Sequence, residues 1–246
     1  MKYFISEAWY KLRNTFNDNK NALEVRSKLK DDGYFVYKNF LSTEKCNSLI
    51  ELFNNNKDRE NVWRDDLKSD TRIYGIDRVE GAFSDIFDNT LLRQISKSYI
   101  SKELNKIVLC NHIIPKKNNK GSGGGWHRDT INRRQLKFII YLSDATINNG
   151  CFQYIKGTQN VFEKYKINRL LKLPLSEYRY NDHNIDTLLD NDYKVLNIEG
   201  KSGDLIIVDT SGIHRGKPII ENERYAVTQY MWDSKIPKSI ENLIVK

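Results

Sequence analysis

A chain of 246 residues can bury a sizeable core, and its 39% hydrophobic and 29% charged residues give an ordinary soluble balance with a rather polar surface. No run approaches the roughly 18 apolar residues of a spanning helix, and the opening MKYFISEAWYKLRNTF has no apolar segment followed by a small-residue cleavage site, so no signal peptide is read there. The net charge of +8 favours anionic partners, but the basic residues are spread along the chain, and a Lys- and Asn-rich composition accounts for the charge equally well.

Apolar Leu23, Val25 and Leu29 among charges predict a helix over 22–31, with Leu23 and Leu29 facing inward and Gly33 as its cap. Tyr34–Tyr37 reads as a strand. Ser42 or Thr43 caps a second helix to about Phe53, carrying Cys46, Leu49, Ile50 and Phe53 on one face. Residues 54–85 look polar and irregular, and 89–104 predict a third amphipathic helix through Leu91, Leu92, Ile95, Tyr99 and Ile100. The period then becomes strand-like. Lys106–Ile114 is a β-rich run closed by Pro115, and a glycine-rich loop ends at Gly121–Gly125. In Gln135–Leu142, Leu136, Phe138, Ile140 and Leu142 share one face, and Lys137, Ile139 and Tyr141 the other. Asn149-Gly150 marks a turn before the strand Cys151–Ile155. Residues 161–196 read as a mixed insertion, and Gly203–Asp209 and Arg224–Trp232 as the last strong strands. Helices first and many short strands after suggest a β-sandwich or barrel with helices packed outside. The three cysteines, Cys46, Cys110 and Cys151, form no CxxC pair; free thiols in a reducing compartment, the cytoplasm, are expected.

The chemistry is concentrated after the glycine-rich loop, in Trp126-His127-Arg128-Asp129. In extended backbone, residues two apart point the same way, so His127 and Asp129 can reach one metal ion. His214 follows the strand Leu205–Val208. Two histidines and one carboxylate on one face of an octahedral metal leave three positions open, the pattern of non-haem iron(II) oxygenases. An oxo-acid can take two of these positions and dioxygen the third. The far carboxylate of the oxo-acid then needs a fixed cation. Arg224, ten residues after His214, begins the next strand, and a guanidinium meets a carboxylate through two parallel hydrogen bonds. If Arg224 points inward, so do Ala226, Thr228 and Tyr230. His-x-Asp alone is a weak signal. Joined to the Asn-Asn-Gly-Cys turn, the Gly-Asp-aliphatic strand, His214 and Arg224, it is much stronger.

These segments resemble the phytanoyl-CoA dioxygenase family of Fe(II)/2-oxoglutarate-dependent oxygenases. The similarity runs through Trp126–Asp129, Tyr141–Gln159 and Gly203–Tyr230, and more loosely through Lys28–Phe53, and so spans most of the chain. It implies an α+β fold with a double-stranded β-helix core (jelly roll, cupin-like) and flanking N-terminal helices, in a single domain over residues 1–246. It implies Fe(II) on His127, Asp129 and His214, and 2-oxoglutarate on Arg224, with Asn111 and Ile139 lining the oxo-acid pocket. Turnover would consume dioxygen and 2-oxoglutarate, release succinate and carbon dioxide, and hydroxylate an unactivated C–H bond. Asp129 fills the position that a halide would need, so halogenation is not expected. Two positions depart from the family pattern. Gly216 stands where a serine often helps hold the oxo-acid, and Gly157-Thr158-Gln159 stands where Gly-Ser-His often follows the turn.

Residues 161–196 are expected to form a lid, with Lys164, Lys166, Arg169 and Lys172 available to an anionic substrate. Gly121–Gly125 reads as a hinge; no Lys-Ser/Thr follows, which excludes a P-loop. His112 is expected in the core and His183 in solvent. Arg72, Tyr74 and Arg78 either receive an anionic substrate or lie on the surface. The expected partner is a small anionic metabolite, not nucleic acid or a membrane. A nucleic-acid demethylase on the same scaffold is one rival, and would need a continuous basic groove with stacking aromatics beside the metal. A non-catalytic binding module is the other.

Overall fold

The computed structural model describes residues 20–100, 104–131 and 133–246; the opening segment read for a signal peptide lies outside them. Helix α1 (Lys20–Asp31) buries Ala22, Val25 and Leu29. This stripe at i, i+3 and i+7 leaves Leu23 44% exposed, against the inward placing expected from sequence. The amides of Asp32 and Gly33 both return to the Lys28 carbonyl and end the helix. Strand β1 (Tyr34–Tyr37) leads to α2 (Thr43–Asn56), which Ser42 caps by accepting from the Lys45 amide. Cys46, Leu49 and Phe53 on α2 are buried, with Ile50 packed partly buried beside them.

The segment read as irregular contains real elements: β2 (Trp63–Arg64), β3 (Asp70–Tyr74), a 3-10 turn at Ile76–Arg78 and α3 (Ala82–Asp85). Helix α4 (Thr90–Ile100) is followed by β4 (Asn105–Ile113) and β5 (Leu136–Tyr141). Next come β6 (Phe152–Ile155), α5 (Val161–Leu170), α6 (Asp182–Leu189) and β7 (Val195–Ile198), so the end of the presumed insertion belongs to a core strand. Strands β8 (Leu205–Asp209), β9 (His214–Gly216) and β10 (Arg224–Trp232) and the short α7 (Lys238–Glu241) complete the chain. Seven strands form one antiparallel sheet in the order β1-β8-β5-β10-β4-β3-β2, and three form a smaller sheet, β7-β6-β9. This is the jelly-roll arrangement with helices flanking the larger sheet.

The larger sheet has two differently used faces. Leu136, Phe138 and Ile140 of β5 pack with Ile207 and Val227 against Leu29, Leu49 and Leu92 of the helices. On the opposite face Ile139, Tyr141, Ile206 and Ala226 meet Phe152 and Tyr154 of the small sheet. A one-residue slip of β5 would remove three large side chains from the helical core, each contributing about 1.5–3 kcal/mol of burial, and drive Lys137 into it. The register of β5, and with it the place of Lys137, is therefore firmly set. Among the described residues no helix is long and apolar enough to cross a membrane, and all three cysteines are buried free thiols.

Candidate active site

His127 and His214 lie on neighbouring stretches of backbone and bond each other reciprocally, each amide to the other's carbonyl at 2.9 Å. The Asp129 amide bonds the Thr210 carbonyl, which ties the second ligand to the end of β8. The His-x-Asp segment is thus extended, and both ligands project to one side as its spacing requires. Arg128 between them turns the other way and is 1% exposed. Its guanidinium donates to the Tyr180 hydroxyl and to the carbonyls of Thr158 and Ser211, pinning the segment to three separate loops.

The His127, Asp129 and His214 ligand atoms lie within 4.8 Å of one another, a grouping able to hold a metal ion. Each imidazole is oriented by its own backbone. Nδ1 of His127 contacts the Gly125 carbonyl and Nδ1 of His214 the Gly212 carbonyl, both at 2.9 Å. A carbonyl can only accept, so Nδ1 carries the proton and Nε2 keeps its lone pair for a metal. The two Nε2 atoms face Asp129 at 3.6 and 3.9 Å. Burial pushes the His214 ring well below the usual histidine range, with the neighbouring His127 adding to the effect. Burial alone would raise the Asp129 carboxyl; the Lys137 ammonium, then the two histidines, outweigh it and hold that carboxyl well below its usual range. Neutral imidazoles and an ionised carboxylate are the forms that bind metal.

The grouping lines a cavity of about 640 Å³, with Asn111, Ile139, Arg224, Ala226, Thr228 and Tyr230 in its walls. The inward face inferred for Arg224 and its alternate neighbours is therefore the observed one. Arg224 is 4% exposed and donates to the Gly150 carbonyl. Its buried Nε finds no partner, and among the described residues no carboxylate pairs with it. Burial lowers its pKa from the ordinary arginine value. A buried cation left this way is costly unless an anion arrives. Asn111 is buried beside it in the wall and directs its amide toward Asp70 at 3.5 Å.

Lys137, Asp70 and Trp63 line the wall without a role in the sequence reading. Lys137 reaches the Asp129 carboxylate at 2.6 Å. On β3, Arg72 pairs with Asp70, stacks over Trp63 and donates to the Ser122 hydroxyl at 3.1 Å. Arg72 and Tyr74 are thus cavity residues, whereas Arg78 is exposed. Ser122 also explains one departure from the family pattern. A Cβ at Gly216 would come 2.7 Å from that of Ser122, so the serine occupies the space a side chain there would need. Gln159, the other departure, bonds the carbonyls of Leu29 and Lys30 and ties α1 to the small sheet. Of the insertion, Tyr178 and Arg179 border the cavity; Lys164, Lys166, Arg169 and Lys172 do not. His112 is partly buried, stacked on Tyr225 at 4.0 Å and bonded to Glu223, away from the cavity, and His183 is exposed as expected.

The glycine-rich loop is pressed against the metal-binding grouping. Gly123 has φ +89°, and a Cβ there would lie 2.4 Å from Cε1 of His127. Gly123→Ala is therefore expected to rotate His127 off its position and lower divalent-metal affinity by roughly 10- to 100-fold, as loss of a ligand-orienting contact does. Calorimetric titration of the apo protein with Co(II) would check this; unchanged affinity would show that the loop yields instead.

Comparison with known proteins agrees with this geometry. No curated protein sequence matches. Among solved structures the chain is similar to the epimerase SnoN from nogalamycin biosynthesis in complex with Fe3+, alpha-ketoglutarate and nogalamycin RO, at TM-score 0.66 and 12% identity, covering 92% of this chain and 90% of that one. It is similar to EctD from S. alaskensis with bound Fe, at TM-score 0.66 and 16% identity over 89% and 79%. It is also similar to HygX from Streptomyces hygroscopicus with nickel and 2-oxoglutarate bound, at TM-score 0.58 and 12% identity over 87% of each. At such identities the likeness establishes the fold. The family model of phytanoyl-CoA dioxygenase (PhyH) matches residues 29–222, and the chain accordingly belongs to the phytanoyl-CoA dioxygenase family of 2-oxoglutarate-dependent non-haem iron oxygenases.

Proposed function

We propose that this oxygenase couples oxidative decarboxylation of 2-oxoglutarate to hydroxylation of an unactivated C–H bond in a small anionic molecule. His127, Asp129 and His214 hold Fe(II), and Arg224 holds the far carboxylate of the oxo-acid, with Asn111 and Ile139 beside it. The observation that carries this reading is the buried, unpaired Arg224 guanidinium in the same cavity as the His-Asp-His grouping. Iron, when bound, supplies the activation of dioxygen and the oxidising power. The chain supplies the rest. The Gly125 and Gly212 carbonyls fix both imidazoles, and Arg224 sets the direction from which the oxo-acid enters. Ile139, Leu109 and Ala226 keep the wall apolar where water would compete.

Lys120 and Arg179 at the cavity are exposed and enter no ion pair among the described residues, which supports an anionic group on the substrate. Asp65, Asp66 and Asp70 line the same cavity, so its wall carries both signs of charge. A continuous basic track of the kind a nucleic-acid demethylase needs is thereby interrupted. Residues 161–196 act as the lid of this one-domain enzyme through Tyr178 and Arg179. The buried free thiols suit the cytoplasm.

SnoN is described as an epimerase, a relative named SnoK as a carbocyclase, and HygX has been seen with hygromycin B. The test is therefore a metabolite screen that follows both succinate and product mass. Succinate release with gain of one oxygen atom in the co-substrate is expected. Succinate release with unchanged product mass, or with loss of two hydrogens, would replace hydroxylation by epimerisation or cyclisation. Absence of 2-oxoglutarate turnover across the screen would favour the binding module.

A further inference from the structure

We propose that Lys137 is a positioning residue that holds Asp129 to one-oxygen coordination, keeping three metal positions open for the oxo-acid and dioxygen. The inference rests on the metal-centre reading above and assigns a role within it. Lys137 sits in the middle of β5 and is only 5% exposed, yet carries a charge. Its Nζ lies 2.6 Å from Oδ2 of Asp129, a short charge-assisted contact. The same Nζ lies 4.0 Å from the ring centroid of Tyr230, which is its cross-strand partner on β10. The ammonium is thus clamped between a carboxylate and an aromatic face, on a strand whose register is fixed by its opposite side.

The consequence concerns the two oxygens of Asp129. Oδ2 is engaged by Lys137 at 2.6 Å and lies 3.9 Å from Nε2 of His214, while Oδ1, free of the ammonium, faces Nε2 of His127 at 3.6 Å. A carboxylate can bind a metal through one oxygen or through both. Binding through both would crowd the metal and the Lys137 ammonium onto Oδ2, setting two cations against each other in a buried site. It would also consume one of the three positions that a facial triad leaves open. Lys137 therefore acts through Asp129 on how many sites the metal offers.

The test compares wild type, Lys137→Met and Lys137→Arg by titration with Co(II), then by titration of the Co(II) protein with 2-oxoglutarate, recording the visible spectrum throughout. In Lys137→Met, Co(II) should bind as tightly as in wild type or more so. Affinity for 2-oxoglutarate should fall by roughly tenfold, about 1.4 kcal/mol, as a second Asp129 oxygen competes for the open positions, and the ligand-field bands should shift. Lys137→Arg should restore part of both. Wild-type spectra and affinities in Lys137→Met would overturn the proposal, as would a change confined to KM of the co-substrate, which would place the ammonium on the substrate instead. If Lys137→Met does not fold, Tyr230→Leu keeps both charges and removes the ring and hydroxyl that hold the ammonium. Its spectrum with 2-oxoglutarate should shift in the same sense, and an unchanged spectrum overturns the proposal. Failure of the wild-type protein to bind Co(II) at all would count against the metal centre itself, and so is separable from failure of the Lys137 role.

Discussion

Arg224→Ala is expected to weaken 2-oxoglutarate binding by roughly 30- to 3,000-fold. Truncating one member of a buried charged pair costs about 2–5 kcal/mol, and each 1.4 kcal/mol is about tenfold. The site is suited to so large an effect. Arg224 is buried, its Nε has no partner, and the Gly150 carbonyl is the acceptor its Nη1 reaches within the protein. Metal affinity should hardly change, because Arg224 is not one of the metal-binding grouping. Arg224→Lys should recover only part, since an ammonium cannot reproduce the planar fork. The apo Ala variant should be no less stable than wild type, because the deleted cation is uncompensated there. Titration of Co(II)-loaded protein with 2-oxoglutarate, beside a thermal melt of the apo form, measures both. Affinity near wild type would assign the carboxylate to another cation, with Arg72 the nearest candidate in the wall.

Asp129→Asn should have two separable effects. It removes the one anionic member of the grouping, and divalent-metal affinity should fall by more than about 100-fold, beyond the range typical of contacts one step removed from the metal. Succinate production should fall with it. It also strands the Lys137 ammonium against a neutral amide, and breaking a buried pair by neutralising one member typically costs about 3–5 kcal/mol. The apo variant should therefore unfold at lower denaturant than wild type. Adding Lys137→Met to it should recover stability without recovering metal binding. A double variant no more stable than Asp129→Asn would show that the Lys137–Asp129 contact contributes little to the fold. Metal binding retained by Asp129→Asn would sink the assignment of Asp129 as a ligand.

Much of this site could be read from the residues because strand periodicity projects side chains predictably. The alternation in Leu136–Tyr141 put Lys137, Ile139 and Tyr141 on one face, which the structure turns to the cavity, and the same logic put Ala226, Thr228 and Tyr230 beside Arg224. The grouping of His127, Asp129 and His214 needed only extended backbone and one long-range pairing, and the reciprocal bonds between the histidines supply it. Lys137 escaped assignment because a lysine on an alternating strand ordinarily marks solvent; only the long-range approach of Asp129 gives it a buried partner. Strand β3 was invisible for a related reason. Asp70 and Arg72 satisfy each other across the cavity wall, so the strand lacks the apolar alternation by which strands are found. Leu23 misled because a spacing of six fits a helical face less well than the observed three and seven. The basic residues of 161–196 misled because sequence order says nothing about which side of a helix meets the cavity. Lys164, for one, is buried and donates to the Ile131 carbonyl.

The reciprocal amide–carbonyl pairing of His127 with His214 bears on how the protein matures. These two positions are far apart in the chain, and the segments between them form β5, β6, β7 and β8. Closing so long a loop carries an entropic cost that must be met before the pairing rewards it. The backbone bonds and the apolar packing of the two sheets contribute to meeting that cost, and a metal ion held by His127 and His214 would add to them. A metal that bridges the two strands in the folded form alone would raise resistance to unfolding with its free concentration, by about 2.7 kcal/mol at a hundredfold excess over Kd.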